Sequence, residues 1–303
     1  TPYMKLKTIA KSLIALSAAF VLGACGNNAS SSQSSQSSQS SQSSQASESG
    51  LKTVKIASVG SDADIWRYIA ESEQAKKAGL KIEVQEINGG VPLNESVADG
   101  TVDANAFQSI GYLQGFNEAN SNKVVPVGTT YIEPMGLYSK KVKSLNDLPN
   151  GAKVALPDNP YNTTRALRLL ESAGLIKLPS DFKDGTGTPS DIVENKKNLE
   201  FLLIDDTTSV RVLDDTDLIA IGNTIALEGG LNVLKDSLFY EKADASTITS
   251  INVIAVKAEN ADKEEYKKLV DLYHDPEIQK YISDKFAGTK VEVKKPVSEV
   301  WGK

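Results

Sequence analysis

The sequence predicts an α/β clamshell of two lobes, with the chain crossing between the lobes twice. Three observations lead to this expectation: the chain has 303 residues, strands alternate with helices in two separate blocks, and extended segments join the blocks. Hydrophobic residues make up 40% of the chain, which is enough apolar material for a core in each lobe. The cleft between two such lobes is where a small ligand would bind.

The first 24 residues have the pattern of an export signal. Lys5, Lys7 and Lys11 precede an apolar run over 12–24, which is shorter than the ~20 residues that a membrane-spanning helix needs. The run ends at Cys25, the only cysteine, and Leu-Gly-Ala-Cys resembles the lipobox of bacterial lipoproteins. That resemblance implies cleavage before Cys25 and lipidation of its thiol. The alternative is a chance cysteine at the end of an ordinary signal peptide.

A linker rich in serine and glutamine follows over 25–50. A repeated Ser-Ser-Gln pattern with few apolar side chains cannot offset the entropy of ordering, so we expect a disordered tether. A glutamine-rich aggregating segment is the weaker alternative, because serines interrupt the glutamines and the segment is short.

The first α/β block begins after residue 51. The pattern predicts strands over 54–59, 82–87 and 102–107, with helices over 64–78 and 93–99 between them. In the longer helix we expect Asp62 as N-cap, Tyr68 facing inward and Gly79 as the stop. Strands that alternate with helices through short connections predict a parallel sheet.

The second block repeats this organisation. Its predicted elements are strands over 153–156, 201–204 and 218–221 and a helix over 163–173 that stops at Gly174. Extended segments over 124–127 and 136–139 separate the two blocks, and a strand over 251–256 returns to the first block. Helices over 263–273 and 277–286 end the chain.

Composition excludes several functional classes. The formal charge of −6 argues against a nucleic-acid partner. One cysteine and one histidine exclude zinc sites with two thiolates or two histidines, and they leave few ways to build a catalytic triad. With no Gly-x-Ser-x-Gly motif either, we expect no enzyme, no cofactor and no metal. His274 is assigned to a helix end.

Five aspartates near the middle of the second block raise the alternative of a calcium site. They lack the spacing of a calcium-binding loop, so solvated loops are the preferred interpretation. These residues are Asp205, Asp206, Asp214, Asp215 and Asp217.

Several longer motifs resemble the NlpA/MetQ family of methionine-binding lipoproteins. They are DGTVDANAFQ at 99–108, IEPMGLYSKK at 132–141 and ALPDNPYNTTRAL at 155–167, with shorter matches at 173–178 and 191–199. The resemblance runs in order through 51–303.

The resemblance implies a substrate-binding lipoprotein of an ABC importer with a type II periplasmic-binding-protein-like fold. Lobe 1 would comprise 51–137 plus 250–303, and lobe 2 would comprise 138–249. The ligand would be methionine, a related amino acid or a short peptide, and the partners a permease and an ATPase. We expect a monomer that is anchored by lipid to the outer face of the cell membrane, as on a Gram-positive surface. A surface adhesin that uses the same fold is the alternative function.

The resemblance also implies site residues. Arg165 would hold the ligand carboxylate, because a guanidinium fork matches a carboxylate and stays charged in a closed cleft. A solvated helix residue is the alternative for Arg165. Phe107 would pack on the ligand side chain, with a core position as its alternative. Asn223 would hold the α-amino and carboxylate groups, unless Gly222 occupies that position. Asn162 and Tyr131 would also line the ligand-binding site. Tyr131 and Glu133 lie where the chain first crosses between the lobes, and hinge packing is an equal alternative for both.

This chain departs from the family pattern at three positions. Ser109 replaces a histidine, Gly90 replaces a tyrosine, and Asp62 replaces a histidine after the first strand. Smaller side chains at Ser109 and Gly90 predict a roomier, more polar cleft and a ligand larger or more polar than methionine. In the alternative, Trp66 or Tyr112 fills the space.

Overall fold

A computed structural model describes residues 50–121 and 123–302, all within one compact unit. The predicted signal, Cys25 and almost all of the linker lie outside the described residues. The strands are β1 Lys52–Ser58, β2 Leu80–Glu86, β3 Ala104–Ser109, β4 Val124–Thr129, β5 Tyr131–Ile132, β6 Gly136–Tyr138, β7 Lys153–Pro157, β8 Glu200–Ile204, β9 Leu218–Ile221, β10 Phe239–Tyr240, β11 Asn252–Lys257 and β12 Val291–Glu292. The α-helices are α1 Gly60–Glu71, α2 Glu73–Lys77, α3 Gly90–Ala98, α4 Ile110–Ala119, α5 Pro160–Ser172, α6 Asn223–Glu228, α7 Val233–Asp236, α8 Glu264–Tyr273, α9 Pro276–Lys285 and α10 Val297–Val300.

Two five-stranded sheets organise these elements, as the two-block pattern predicts. The first has the order β2-β1-β3-β11-β4 and the second the order β10-β6-β9-β7-β8. We call the first sheet with its helices lobe 1 and the second sheet with its helices lobe 2. The prediction of a two-lobe α/β clamshell is confirmed.

The parallel pairing predicted within each block is confirmed, since β1 pairs parallel with β2 and β3, and β7 pairs parallel with β8 and β9. Each sheet as a whole is mixed, because strands from outside the block join it in the opposite direction. Strand β11 pairs antiparallel with both β3 and β4, and β6 pairs antiparallel with β9. Both strands follow a crossing between the lobes and not a helix, so they enter their sheets in the opposite direction. Only strands linked through crossover helices need to run parallel.

Each sheet has an apolar core on both faces because alternate strand residues point to opposite sides. On β1, Val54 and Ile56 belong to one cluster of lobe 1, and Ala57 belongs to the other. On β7, Val154 and Leu156 face one cluster of lobe 2, while Ala155 faces the second. Helices α1, α8 and α9 cover one side of the first sheet, and α3 and α4 cover the other. The result is a three-layer arrangement in each lobe.

The helix predicted over 64–78 is two helices, α1 and α2, that meet at Ser72. The Ser72 hydroxyl accepts a hydrogen bond from the Ala75 amide at 3.2 Å and donates to the Ile69 carbonyl at 2.6 Å. The serine therefore ends one helix and caps the next. Helix α1 starts at Gly60, so Asp62 lies in its first turn and is not the N-cap. Tyr68 is 40% exposed and stacks on Tyr281, which contradicts the inward prediction.

The chain crosses from lobe 1 to lobe 2 directly after β5. Strand β5 pairs with β12 near the end of the chain, so residues 291–292 join the crossing. His274 ends α8 as predicted, with ring nitrogens 2.7 Å from a Glu292 carboxylate oxygen and 2.7 Å from the Thr129 carbonyl. The C-terminal segment thus packs against the first crossing. No helix within the described ranges is both long and apolar enough to cross a membrane.

Candidate ligand-binding cleft

A cleft of about 650 Å³ is lined by residues from both lobes. All seven predicted ligand-binding positions lie on its walls. They are Gly90 at the start of α3, Phe107 and Ser109 on β3, Tyr131 on β5, Asn162 and Arg165 on α5, and Asn223 at the start of α6. Loops and helix starts that are distant in sequence therefore meet around one space.

Helix α5 carries Arg165 into the cleft. Asn159 caps the helix by accepting a hydrogen bond from the Asn162 amide at 3.2 Å, and Pro160 takes the first helical position, where no amide is needed. Asn162 and Arg165 are three residues apart, so they share a helix face. This local geometry is readable from the sequence Asn-Pro-Tyr-Asn.

The Arg165 guanidinium is already engaged by a carboxylate of the protein. Its Nε lies 3.0 Å from both Glu241 oxygens, and its Nη2 donates to Glu241 Oε1 at 2.6 Å and to the Glu133 carbonyl at 2.8 Å. Burial alone would lower the pKa of Arg165, but the ion pair with Glu241 outweighs it and raises the pKa. Arg165 is therefore held rigidly in its charged form, and Glu241 offsets that charge.

Glu133 joins groups from both lobes. Its Oε1 accepts from Lys290 Nζ at 2.6 Å, and its Oε2 accepts from Asn223 Nδ2 at 2.9 Å. Its backbone carbonyl also accepts the bond from Arg165. From the sequence alone, hinge packing is an equal alternative for Glu133, and nothing identifies Lys290 or Glu241 as residues of the cleft. Neither residue lies in a motif, so only the fold reveals their position.

Lys290 is buried beside the first crossing, on the lobe 1 side of the cleft. Its ammonium lies 3.6 Å from Asp62 Oδ1 and 4.2 Å from the centre of the Tyr131 ring. The Tyr131 hydroxyl donates to Asp62 Oδ1 at 2.6 Å. Burial raises the pKa of Asp62 above 3.8, while Lys290 and the Tyr131 hydroxyl oppose this rise. Asp62 thus belongs to a buried polar network and does not cap a helix.

Asn223 and Gly222 both line the cleft. Asn223 is the first residue of α6 and Gly222 its N-cap, and a Cβ on Gly222 would meet no atom within 4 Å. The Asn223 amide nitrogen bonds Glu133, but its buried Oδ1 has no hydrogen-bond partner in the described part of the chain. A buried amide oxygen without a donor is costly, so an ammonium donor would relieve that cost.

The space beside Gly90 is occupied by Tyr112 of α4. A Cβ placed on Gly90 would lie 2.5 Å from Tyr112 Cζ and closer still to the hydroxyl. The expectation of a roomier cleft at Gly90 is therefore wrong, because Tyr112 fills that space. Trp66 does not, since it is buried in the lobe 1 core.

Ser109 has a structural task besides lining the cleft. Its hydroxyl accepts a hydrogen bond from the Tyr112 amide at 3.2 Å and caps α4. Phe107 is half-buried, and its ring meets the Tyr112 ring edge to face at 5.7 Å between centroids. The lobe 1 wall of the cleft thus has an aromatic corner.

The fold and the cleft define a class of protein: a two-lobe α/β binding protein whose site lies between the lobes. Both lobes contribute polar groups near the crossing, and lobe 1 adds an aromatic wall. Such clamshells hold a small solute by closing around it.

The chain belongs to the NlpA lipoprotein family, whose model matches residues 54–294. A probable D-methionine-binding lipoprotein MetQ from Haemophilus influenzae is 39% identical over 221 residues, which cover 71% of this chain and 80% of the relative. The structure of a nutrient binding protein from Burkholderia cenocepacia bound to methionine has 38% sequence identity to this chain and a TM-score of 0.63. The match covers 79% of this chain and 99% of that protein's chain. A YaeC-family lipoprotein structure from Enterococcus faecalis has a TM-score of 0.70 at 29% identity, covering 80% and 99% respectively.

Proposed function

We propose that this lipoprotein is the substrate-binding component of an ABC importer and captures methionine or a related amino acid or short peptide in the cleft. The observation that carries the proposal is that the seven residues implied by the family resemblance, from both lobes, all line one cleft. Relatives named for D-methionine binding and a structure solved with methionine support the same ligand class.

The charges in the cleft suit a zwitterion. Arg165 is a cation held in place, and Asn223 Oδ1 and Glu133 offer acceptors close to it. In our proposal the ligand carboxylate binds at Arg165, and the α-amino group binds at Asn223 and Glu133. A guanidinium kept charged and oriented by Glu241 requires no reorganisation when the ligand arrives.

We further propose that Cys25 carries the lipid anchor and that 25–50 tethers the binding unit to the outer face of a cell membrane, as on a Gram-positive surface. We propose that lobe 1 comprises 51–137 plus 250–303 and that lobe 2 comprises 138–249. The two five-stranded sheets support this division, although β6 at Gly136–Tyr138 already belongs to the second sheet. Closure of the lobes on the ligand would present a docking surface to a permease that is powered by an ATPase. The chain itself would act as a monomer without catalysis.

A binding panel with the full-length chain tests the proposed function. L-methionine, D-methionine and glycyl-L-methionine are each added before thermal melting, and small molecules released by denaturation are identified by mass spectrometry. A ligand that binds only the folded state raises the melting temperature with concentration. We expect this for at least one probe, with Arg165→Ala removing the shift.

Arg168→Ala is the matched control. Arg168 lies three residues after Arg165 on the same helix and also forms an ion pair, with Asp184 at 2.5 Å, but it does not line the 650 Å³ cleft. It should keep the ligand-induced shift. If no amino acid or peptide raises the melting temperature of the wild-type chain, and the chain binds host matrix instead, the importer function is refuted and the adhesin function is supported.

A further inference from the structure

A second, smaller cavity lies between helix α5 and the segment 239–250, through which the chain returns from lobe 2 to lobe 1. Its volume is about 150 Å³, against about 650 Å³ for the cleft. Arg165 and Tyr161 line both spaces, so they form a partition between them. We call this space the return cavity.

Three cationic side chains line the return cavity: Arg165, Arg168 and Lys242. The two arginines are three residues apart on α5, so they share a helix face. Lys242 is exposed, and none of the described residues forms an ion pair with its ammonium. Positive groups from two separate segments of the chain therefore meet at one small space.

The return cavity also has three carboxylates, but each already accepts hydrogen bonds from the protein. Glu241 accepts from Arg165 and from the Met135 amide, each at 2.6 Å. Asp244 accepts from the amide and the hydroxyl of Ser246, at 2.8 and 2.5 Å. The third carboxylate, Asp184, accepts from Arg168. These acceptors are therefore occupied by local donors.

The donors of the two arginines are not all occupied. Arg165 donates through Nε and Nη2. Arg168 donates through Nε to Asp184 at 2.5 Å and through Nη2 to the Phe182 carbonyl at 3.1 Å. In both residues Nη1 donates to no acceptor in the part of the chain that the structure describes. A polar cavity with donors left over favours a ligand that brings acceptor oxygens.

We propose that the return cavity binds a small oxyanion of the size and charge of inorganic phosphate, held by Arg168, Lys242 and Arg165. Guanidinium and ammonium groups both form charge-assisted hydrogen bonds to such oxygens. Binding of the anion does not depend on what the cleft binds.

The effect of the anion on the cleft rests on the proposed function. Arg165 keeps only Nη1 for further bonds, and the carboxylate of an amino acid in the cleft needs that nitrogen. The anion and the amino acid therefore draw on the same group from opposite sides of Arg165. Each lowers the affinity of the other, because coupling between two sites is reciprocal.

The test is isothermal titration of inorganic phosphate into the full-length chain, without amino acid and with sodium chloride to hold the ionic strength constant. Arg168→Ala should abolish phosphate binding, and Lys242→Ala should weaken it about tenfold through loss of one charged donor. Asp184→Asn should tighten it, because the amide keeps the shape of the side chain but removes a competing negative charge. A general loss of structure would not produce that gain.

Lys235→Ala is the matched control, since Lys235 is an exposed lysine on α7 that does not line the return cavity. It should bind phosphate as the wild type does. A wild-type chain that binds no phosphate would overturn the proposal. Equal phosphate affinity in the wild type, Arg168→Ala and Lys242→Ala would overturn it as well.

L-Methionine titrated with and without saturating phosphate tests the coupling. The wild type should bind L-methionine about fivefold more weakly in phosphate, and Arg168→Ala should show no difference. L-Methionine binding that is indifferent to phosphate would overturn the shared use of Arg165. A chain that binds phosphate but no amino acid or peptide would count against the proposed function alone, which separates the two failures.

Discussion

Lys290→Met should lower the free energy of unfolding far more than the same substitution of a lysine on the surface. The Lys290 side chain is 3% exposed, and its ammonium is 2.6 Å from Glu133 Oε1 and 3.6 Å from Asp62 Oδ1. Methionine keeps the length and apolar stem of the side chain but removes the charge. The two carboxylates then stay near each other without their buried cation.

The magnitude follows from burial. Removing one partner of a buried ion pair costs about 3–5 kcal/mol because the other charge stays desolvated. The contact over the Tyr131 ring, at 4.2 Å from its centre, is lost as well. Lys280→Met is the matched control: Lys280 pairs with Asp284 at 2.6 Å, but its side chain is 76% exposed. A surface pair of this kind contributes about 0–1 kcal/mol.

Urea unfolding followed by tryptophan fluorescence measures the free energy of unfolding for both variants. We expect Lys290→Met to lose several times more stability than Lys280→Met. Equal losses in the two variants would refute the reasoning, because they would mean that the buried network contributes no more than a surface pair.

Three further predictions concern the cleft. Arg165→Lys replaces the fork on Glu241 by a single ammonium and should weaken ligand binding at least about tenfold by titration; unchanged affinity would exclude Arg165 from the site. Ser109→Ala removes the cap of α4 and should cost about 1 kcal/mol in urea unfolding, with Ser109→Asp restoring it. Asp62→Asn tests pH dependence. Because burial raises the pKa of Asp62, its contribution to stability is complete below pH 3.8 and is lost as the pH rises through the folded-state pKa. Asp62→Asn should therefore gain stability relative to wild type as the pH rises above 3.8, measured by urea unfolding at a series of pH values, and a pH-independent difference would contradict this.

Most elements of the fold are predictable from sequence because their periodicity and caps are local. Helix α5 begins at Pro160, three residues before the predicted start at 163, and it ends at Ser172, before Gly174. The predicted third strand is displaced by two residues, since β3 covers Ala104–Ser109. The sequence pattern does not predict helix α4, which covers Ile110–Ala119. Its glycine at 111 suggests a loop, but the physical reason for that glycine is the close approach of Thr249, which is distant in sequence.

The candidate site is predictable only where the resemblance supplies motifs. Arg165 and Phe107 lie in such motifs and line the cleft. Glu241 and Lys290 do not, because their importance comes from tertiary burial and not from their neighbours in sequence. The expectation of a roomier cleft at Gly90 fails because the sequence does not show which neighbouring side chain fills the space, and in the structure Tyr112 fills it.

The position of β11 in the chain determines the order in which the two lobes can fold during synthesis. It lies between β3 and β4 in the first sheet, although more than 120 residues separate it from them in the chain. During synthesis from the N-terminus, lobe 2 has all its strands before β11 exists, whereas the first sheet stays open until residue 257 has emerged. Lys290 and β12 come later still. Assembly of the cleft is therefore a late event, and a truncated chain that lacks its last 15 residues would have both sheets but no buried cation at the crossing.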